Sequence, residues 1–231
     1  KGENVSAIYG FFSNFLSLLQ KNEVNYVVAA FDSRTPTFRH EMYPEYKATR
    51  QKTPEDLHGQ VPIIEEILTA LGVTTIRHDG FEADDLIATV ARQCKEAKRE
   101  CRILSGDKDL MQLVDDTTFM MKSDKSGGWE TIDSQGVISE WGVPPELMLD
   151  MLSLVGDKAD NVPGISGIGE KTAKKLLDEY GTLDKILENA SNISGSIGKK
   201  IQNEIEEAKF SRELIKLRND INLGTSLDSY S

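Results

Sequence analysis

The stretch VTTIRHDGFEADDLIATVARQCKEAKRECRILSGDKDL, residues 73–110, decides the fold because it combines strand patterns with a helix pattern. Its two ends, 73–79 and 101–107, are short runs typical of strands. Between them, residues 82–98 place apolar side chains at helical spacing. A strand, a helix and another strand in this order predict parallel strands joined by a right-handed crossover.

The sequence on either side extends this pattern and then changes character. NYVVAAFD at 25–32 predicts an earlier buried strand, QVPIIEEILTAL at 60–71 a helix, and TTFMMK at 117–122 a further strand. The remaining sequence has helical patterns joined by turns rich in Gly or Asn. We therefore predict an α/β part with a mostly parallel sheet flanked by helices in residues 1–140, and an all-α module in residues 141–231.

The composition is that of an ordinary globular protein with a strongly acidic balance. Of the 231 residues, 39% are hydrophobic, and no apolar run approaches the roughly 20 residues of a membrane span. The net charge of −11 argues against a nucleic-acid partner unless many carboxylates gather around metal ions, because phosphates are bound by Lys and Arg. Cys94 and Cys101 match no metal or redox spacing, which predicts idle thiols in a reducing cytoplasm.

Acidic side chains follow directly after three predicted strands: Asp32 after the first, Glu82, Asp84 and Asp85 after the second, and Asp107 and Asp109 after the third. Each one alone could be a helix cap or a first-turn acid. Together they would share one rim, since sites in open α/β sheets form beyond the carboxyl ends of the strands. Like charges about 4 Å apart repel by roughly 1 kcal/mol in water and more inside a protein, so the rim predicts bound cations or protonated acids. With no His or Cys nearby, the oxygen ligands favour Mg²⁺ or Mn²⁺ over zinc.

Residues 34–52, which we name the basic segment, carry a local charge of +3 from five basic residues and two acids. The bases are Arg34, Arg39, Lys47, Arg50 and Lys52. Phe38, Tyr43 and Tyr46 are interleaved with them. Two interpretations stay open. The bases and rings could contact phosphates and stack on a single nucleic-acid strand, or the segment could be a solvated loop whose rings pack onto the core.

GISGIGEKT, residues 164–172, is similar to a phosphate-binding P-loop but departs from it in two respects. Glu170 separates Gly169 from Lys171, and the stretch follows the turn DKADNVP instead of a buried strand. Its glycines can still direct backbone N–H groups toward an anion, and a helix beginning near Glu170 adds the positive end of its dipole. The sequence therefore favours an anion site inside the helical module and disfavours an ATPase.

Several motifs, in this order along the chain, resemble the bacterial 5′-nuclease family. That family includes the N-terminal 5′–3′ exonuclease domain of DNA polymerase I, stand-alone relatives and, more distantly, flap endonucleases. The motifs are AIYGFF, AAFD, FRHEMYPEYKATR, FEADDLIA, SGDKDLMQL and GDKADNVPGISGIGEKTA, and they cover the chain from about residue 5 to about residue 223. The resemblance implies a PIN-like nuclease fold with an arch at residues 33–59 and a helix-hairpin-helix at residues 161–180.

The resemblance also implies a structure-specific nuclease that hydrolyses phosphodiester bonds at 5′ ends and 5′ flaps of DNA. It would act as a Mg²⁺-dependent 5′–3′ exonuclease and flap endonuclease in replication and repair, including primer processing of Okazaki fragments. Two ions of Mg²⁺ or Mn²⁺ about 3.5–4 Å apart would activate water and stabilise the leaving oxygen. By position, the implied metal ligands are Asp32, Glu82, Asp84, Asp85, Asp107, Asp109, Asp157 and Asp160. Asp157 and Asp160 join the rim by resemblance alone, and Asp32, Lys47 and Arg50 are the residues implied in catalysis.

The DNA contacts and partners are likewise implied by resemblance. The implied contact residues are Arg39, Tyr43, Tyr46, Lys47 and Arg50 in the arch and Gly164, Gly167, Gly169, Lys171, Thr172 and Lys174 at the hairpin. The family adds K⁺ held by hairpin carbonyls. The implied partners are branched or 5′-ended DNA, RNA primer–DNA hybrids and a polymerase domain in the same full-length chain. The protein would be a monomer in the bacterial cytoplasm, associated with the nucleoid and not with a membrane.

The sequence departs from the family pattern at its start. The family begins with a further strand ending in a metal-binding Asp, whereas this sequence begins after that point at Lys1. We expect that the strand was left out of the sequence; a true absence would open a gap in the sheet and weaken a metal position. The alternative function is then a DNA-junction binder without nuclease activity. A receiver-like phospho-Asp domain is disfavoured because it would need neither the arch nor the helical module.

Overall fold

The computed structural model describes residues 5–51 and 55–231, so Lys52 and the rest of 52–54 in the predicted arch lie outside the described residues. The helices are α1 (Ser6–Lys21), α2 (Phe38–Met42), α3 (Glu55–Ala70), α4 (Ala83–Glu96), α5 (Ser134–Trp141), α6 (Met148–Val155), α7 (Glu170–Tyr180), α8 (Leu183–Glu188), α9 (Gly195–Asn203) and α10 (Ile205–Ile215). The strands are β1 (Val28–Ala30), β2 (Thr74–Ile76), β3 (Cys101–Leu104), β4 (Thr118–Ser123) and β5 (Trp129–Ile132). Short 3₁₀ helices lie at Lys108–Leu113, Pro145–Leu147, Ala190–Asn192 and Leu227–Tyr230. None of the described helices is long and apolar enough to cross a membrane.

The described strands form two sheets. β1 is parallel to β2, with Val28 opposite Thr74, and β3 is parallel to β4, with Cys101 opposite Thr118. β5, which the sequence did not predict, adds to β4 in antiparallel orientation. Two of the three pairings are parallel, and the prediction of a mostly parallel sheet flanked by helices is confirmed. Among the described strands β1 and β3 do not pair, and α4 packs against both.

Capping explains why acids stand at the start of the helices that follow β2 and β3. Glu82 and Asp85 form a reciprocal capping box, in which each side chain accepts a hydrogen bond from the other residue's backbone N–H, and α4 begins there. Asp107 caps the next 3₁₀ helix, its Oδ1 accepting from the backbone N–H of Asp109 at 3.0 Å. The helix-capping role that each acid could have alone is therefore real for these residues, and it brings them to the ends of the strands.

A single hydrophobic cluster joins the sheet part to the helical part. It contains Ile103 of β3 and Leu110 of the following 3₁₀ helix together with Leu152 of α6 and Leu176 of α7. α6 packs against α7, α10 and the same 3₁₀ helix. Close packing of these side chains fixes α6 relative to β3. The residues that follow α6 are therefore held at a defined place relative to those that follow β3.

Candidate metal centre and anion-binding hairpin

Three carboxylates from the two parts of the chain meet at one point. Asp109 follows β3, whereas Asp157 and Asp160 follow α6, and one oxygen of each lies within 4.8 Å of one oxygen of the others. We name these residues the three-carboxylate cluster; Asp160 is buried and the other two are half-buried. Oxygen ligands at this spacing suit a hard divalent cation such as Mg²⁺ or Mn²⁺. The residues present therefore fit the metal site that the resemblance implies.

Asp84 faces the same space from the first turn of α4. Burial and, after it, the charges of Asp107, Glu82, Asp109 and Asp32 raise the pKa of Asp84 to about 8. Such a shift requires the acids to lie near one another, as their positions after successive strands predicted. A carboxyl group that keeps its proton near neutral pH is the expected state of a metal ligand without its cation.

Asp109 shows the same repulsion from the other side of the site. Its pKa is raised to about 7, first by burial and then by the charges of Asp107, Asp157 and Asp160, while Lys108 acts in the opposite direction. The acids that influence one another in this way form what we name the acidic rim: Asp32, Glu82, Asp84, Asp107, Asp109, Asp157 and Asp160. The rim joins residues from both parts of the chain in one electrostatic unit.

Three described cations of the basic segment bind rim acids: Arg39, which is described below, and Lys47 and Arg50. Lys47 Nζ forms an ion pair with Glu82 Oε1, and Arg50 Nε donates to Asp160 Oδ1 at 2.7 Å. Although burial alone would lower it, the charge of Asp160 raises the pKa of Arg50. Burial raises the pKa of Asp160, and the charges of Lys47 and Arg50 oppose this shift. Lys47 and Arg50 therefore lie at the rim, where the sequence predicted them.

Lys108 is a further cation at the rim and was not singled out from the sequence. Its Nζ lies 2.8 Å from Asp157 Oδ2. The only signal was its place in GDKDL, between the predicted ligands Asp107 and Asp109. A Lys at that position is ordinarily a solvated residue, and nothing in the local pattern shows that it reaches across to the loop after α6.

The structure places Asp85, predicted as a metal ligand, and Arg39, predicted as a DNA contact, in a buried ion pair with each other. Arg39 Nη1 and Nη2 donate to the two oxygens of Asp85 at 2.7 and 2.9 Å, and Arg39 Nε donates to the carbonyl of Leu214 at 2.6 Å. Arg39 is 1% exposed and Asp85 0%, and Arg39 Nη1 also donates to Oε2 of the rim acid Glu82 at 2.9 Å, so Arg39 contacts the rim from the protein interior. Both oxygens of Asp85 have buried partners, since Oδ1 also accepts from the backbone N–H of Arg218 at 2.9 Å, whereas the neighbouring Asp84 faces the rim acids. The pair instead ties α2 and α4 to the end of α10.

The two predicted stacking tyrosines also point inward. Tyr46 is 5% exposed and its hydroxyl donates to Glu82 Oε2 at 3.1 Å. Burial and the charge of Glu82 raise the pKa of Tyr46, so the phenol stays neutral. Tyr43 is half-buried and packs edge-on against Phe210, with ring centroids 5.4 Å apart. Both rings are therefore placed as in the second interpretation, packed onto the protein, and their contact with DNA stays a prediction.

Two hydrogen bonds, which we name the latch, join the basic segment to the loop that carries Asp157 and Asp160. The backbone N–H of Lys47 donates to the carbonyl of Asp160 at 2.9 Å, and Asn161 Nδ2 donates to the carbonyl of Glu45 at 2.8 Å. Lys47 has a φ of +59°, a left-handed conformation that costs about 1–2 kcal/mol for a residue with a Cβ. The latch holds Lys47 in this conformation and directs its side chain to Glu82.

Gly164 in the hairpin, the stretch at 161–180, has a structural role instead of the predicted DNA contact. It is buried, and its N–H donates to Ser211 Oγ at 2.9 Å. Its φ is +60°, and a Cβ at this position would lie 2.4 Å from the backbone nitrogen of Gly156. Gly164 therefore lets the chain pack backbone against backbone as it leaves α6, and its N–H is not free for an anion.

The other hairpin residues do leave donors free. Gly167 and Gly169 are exposed, and among the described residues their N–H groups have no hydrogen-bond partner. Gly169 is the N-cap of α7, which has no side-chain cap, so the helix begins with open N–H groups. Lys171 is exposed and Thr172 half-buried in the first turn. These features suit an anion held by backbone donors at a helix N-terminus.

Two lysines near the hairpin behave differently from the prediction. Lys174 forms an exposed ion pair with Asp178, Nζ to Oδ2 2.5 Å, and its stem covers Gly142. Lys200 of α9 was not singled out, yet a Cβ on Gly167 would lie 2.3 Å from its Nζ. Sequence reasoning missed Lys200 because it belongs to a later helix that returns to the hairpin only in three dimensions.

Comparison with known families matches both parts of the chain. Residues 1–142 match the family described as 5′-3′ exonuclease, N-terminal resolvase-like domain, and residues 143–231 match 5′-3′ exonuclease, C-terminal SAM fold. DNA polymerase I of Treponema pallidum is 49% identical over 227 residues, covering 98% of this chain and 23% of the relative. The thermostable DNA polymerase I of Thermus thermophilus is 39% identical over 228 residues, covering 98% and 27%. The chain thus spans about a quarter of the length of these curated relatives.

Solved structures show the same fold at low sequence identity. The T5 5′-exonuclease with bound divalent metal ions (zinc) has a TM-score of 0.75 at 20% identity, covering 90% of this chain and 80% of that chain. The catalytic core of Rad2 in complex with DNA substrate has a TM-score of 0.62 at 19% identity, covering 95% and 74%. At this identity the likeness establishes the resolvase-like, PIN-type fold with its helical SAM-like module.

Proposed function

We propose that this chain, which belongs to the 5′-3′ exonuclease family by both of its domains, hydrolyses phosphodiester bonds at 5′ ends and 5′ flaps of branched DNA with Mg²⁺ or Mn²⁺. The observation that carries the proposal is the three-carboxylate cluster, in which Asp109 from one domain meets Asp157 and Asp160 from the other. The hydrophobic core shared by the two domains holds these three carboxylates close together. Their mutual repulsion makes this arrangement unfavourable unless they bind a common cation.

The rim acids would hold the metal ions that the reaction needs. When bound, two divalent ions supply a metal-activated water and a Lewis acid for the phosphate oxygens. Asp109, Asp157 and Asp160 offer one site, and Asp84 with Asp107 offers ligands beside it. Asp32 lies at the edge, where its Oδ1 accepts from the N–H of Ala83 at 2.9 Å and so is fixed against α4.

The cations around the rim would orient the phosphate and stabilise the charge that grows on it. Lys47 and Arg50 now pair with Glu82 and Asp160, and they would turn toward the substrate once metal neutralises those acids. Their positions are set by the latch to the loop after α6, so that little reorganisation is needed. Among the described residues, the three His side chains form no triad with Ser or Cys, which fits hydrolysis by water without a protein nucleophile.

The hairpin would bind the duplex on one side of the cut. The free N–H groups of Gly167 and Gly169, with Lys171 beside them, read a phosphate and no base, so binding would be insensitive to sequence and sensitive to salt. K⁺ at the hairpin carbonyls, RNA primer–DNA hybrids as substrates, and a polymerase domain in the same full-length chain belong to the same proposal. So do a monomeric state and a place in the bacterial cytoplasm near the nucleoid.

The direct test is incubation of the protein with a labelled 5′-flap DNA in the presence of Mg²⁺. It should be done with this chain and with the full-length natural protein. We expect cleavage near the base of the 5′ flap, no cleavage of a matched 3′-flap substrate, and loss of activity with a chelator. Tight flap binding without cleavage by the full-length protein would instead support the non-catalytic junction binder.

A further inference from the structure

We propose that Lys108 is a substrate-positioning residue that exchanges Asp157 for a DNA phosphate when a divalent ion occupies the three-carboxylate cluster. The inference rests on the proposed nuclease function and adds a residue to it. Its starting point is the contact between Lys108 Nζ and Asp157 Oδ2 at 2.8 Å.

Lys108 holds the oxygen of Asp157 that a metal ion would need. The other oxygen, Oδ1, accepts hydrogen bonds from the backbone N–H groups of Ala159 at 2.8 Å and Asp160 at 3.3 Å, which close the turn of the loop. Oδ2 is therefore the oxygen left to bind a cation, and Lys108 already binds it. A divalent ion that enters the cluster must compete with the ammonium for the same atom.

Electrostatic repulsion then determines the position of the Lys108 ammonium once a divalent ion is bound. An ammonium beside a divalent ion is repelled, and its own acid is now shared with that ion. The Lys108 side chain is 34% exposed whereas that of Asp157 is 10% exposed, so the released ammonium has solvent on one side. Its backbone stays fixed, because Lys108 begins the 3₁₀ helix that Asp107 caps. The group therefore remains at the rim, where the anion in reach is the backbone phosphate of the bound substrate.

Lys47 and Arg50 differ from Lys108 in what constrains them. The Lys47 backbone is latched by its N–H to Asp160, and Arg50 binds the same residue through its side chain. Lys108 lies beside Asp109, in the 3₁₀ helix that follows β3. A phosphate that Lys108 also contacts would be held by two separate elements, the basic segment and this 3₁₀ helix, which is a positioning role that the arch residues alone cannot supply.

The test compares Lys108→Ala with Lys108→Arg and with a matched control, Lys95→Ala. Lys95 makes a similar contact, Nζ to Asp115 Oδ2 2.9 Å, away from the rim. Mn²⁺ binding is measured by titration calorimetry without DNA, and binding of a 5′-flap duplex is measured in Ca²⁺ at several salt concentrations. Unfolding temperatures verify that each variant is folded. None of these measurements needs cleavage, so their failure is distinguishable from failure of the proposed nuclease function.

We expect Lys108→Ala to bind Mn²⁺ about tenfold more tightly, because its competitor is gone. The same variant should bind DNA more weakly, with a slope of log K against log salt that is smaller by about 0.9, the value for one phosphate contact. Lys108→Arg should restore the slope, and Lys95→Ala should change neither quantity. Weaker Mn²⁺ binding by Lys108→Ala, or an unchanged salt slope, would overturn the inference, since Lys108 would then only hold Asp157 in place.

Discussion

The acidic rim and the hairpin would both hold phosphates of one DNA molecule, yet they are built from opposite materials. The rim gathers seven carboxylates, among which burial raises the pKa of Asp84, Asp109 and Asp160, and it pairs some of its acids with cations. The hairpin instead offers exposed backbone N–H groups at an uncapped helix end, with single lysines nearby. The difference offers a way for a chain of net charge −11 to bind a polyanion, because seven of its 38 acids meet where bound metal would offset their charge.

The largest effect should come from removing one carboxylate of the three-carboxylate cluster. Asp160→Asn should slow cleavage of a 5′ flap by about 10²–10³-fold, because several kcal/mol of metal-based stabilisation are lost. Single-turnover rates measure this loss. The control is Asp228→Asn. The side chain of Asp228 is 78% exposed and pairs with Arg99, which is not a rim residue. A cluster variant that cleaves as fast as the control would remove the rim from the mechanism.

The next largest effect should come from the basic segment and should fall on rate more than on binding. Lys47→Ala is expected to slow cleavage by about 10–100-fold while DNA affinity changes by less than about threefold, since Lys47 acts on charge that develops during reaction. Single-turnover rates and DNA titrations separate the two quantities, with Lys95→Ala as control. Equal losses in rate and affinity would mean that Lys47 is simply another phosphate contact.

The rim should also make stability depend on pH in a direction set by Asp84. Folded Asp84 keeps its proton up to about pH 8, whereas its ordinary pKa is 3.8, so the folded protein binds an extra proton between these values. Stability is therefore lost as pH rises through that range. We expect Asp84→Asn to unfold at a higher temperature than the wild type in the absence of metal. This difference in unfolding temperature should be larger at about pH 8 than at about pH 5.

Metal should reverse this pH effect in the wild-type protein. Added Mg²⁺ is expected to raise the unfolding temperature more at about pH 8 than at about pH 5, where protons compete with the ion. Calorimetric Mg²⁺ titration in buffers of different ionisation enthalpy should show proton release near neutral pH. A gain in unfolding temperature that is the same at both pH values would separate the raised pKa of Asp84 from metal binding.

The smallest effect belongs to the hairpin. Lys171→Ala should weaken duplex binding by about two- to fivefold and reduce the salt slope by about 0.9, since one phosphate contact is lost among several. The cleavage rate at saturating DNA should not change, because Lys171 lies outside the rim. A fall in that rate would show that the hairpin and the rim are not separable in the way their construction indicates.

The sequence predicted the sheet, the helical module and the gathering of acids because each depends on local pattern. Strand runs, helix spacing and caps are written in neighbouring residues, as at Glu82 and Asp107. The placements that the sequence did not predict, those of Asp85, Arg39, Tyr46 and Gly164, concern which way a residue faces once distant elements pack together. Arg39 and Tyr46 are residue types that commonly contact DNA. In the structure Arg39 instead donates to a carbonyl of α10 and Tyr46 donates to Glu82, and no local sequence pattern predicts either buried partner.

Lys108 and Lys200 were not predicted from the sequence because their neighbours in the structure also come from distant parts of the chain. Each stands in an ordinary helical context, and each gains its place only because a loop or helix from elsewhere in the chain arrives beside it. The approach of Asp157 and Asp160 to Asp109 was likewise out of reach of spacing alone. It was anticipated through family resemblance, and its physical cause is the hydrophobic core shared by the two domains.

The most direct test of the central claim is a crystal structure of the protein with Mn²⁺, in which anomalous scattering locates the ions. We predict a peak bound by oxygens of Asp109, Asp157 and Asp160, with the Lys108 ammonium displaced from Asp157. Density that shows these carboxylates still paired with their lysine and arginine partners, and Mn²⁺ absent from the rim at saturating concentration, would contradict the account.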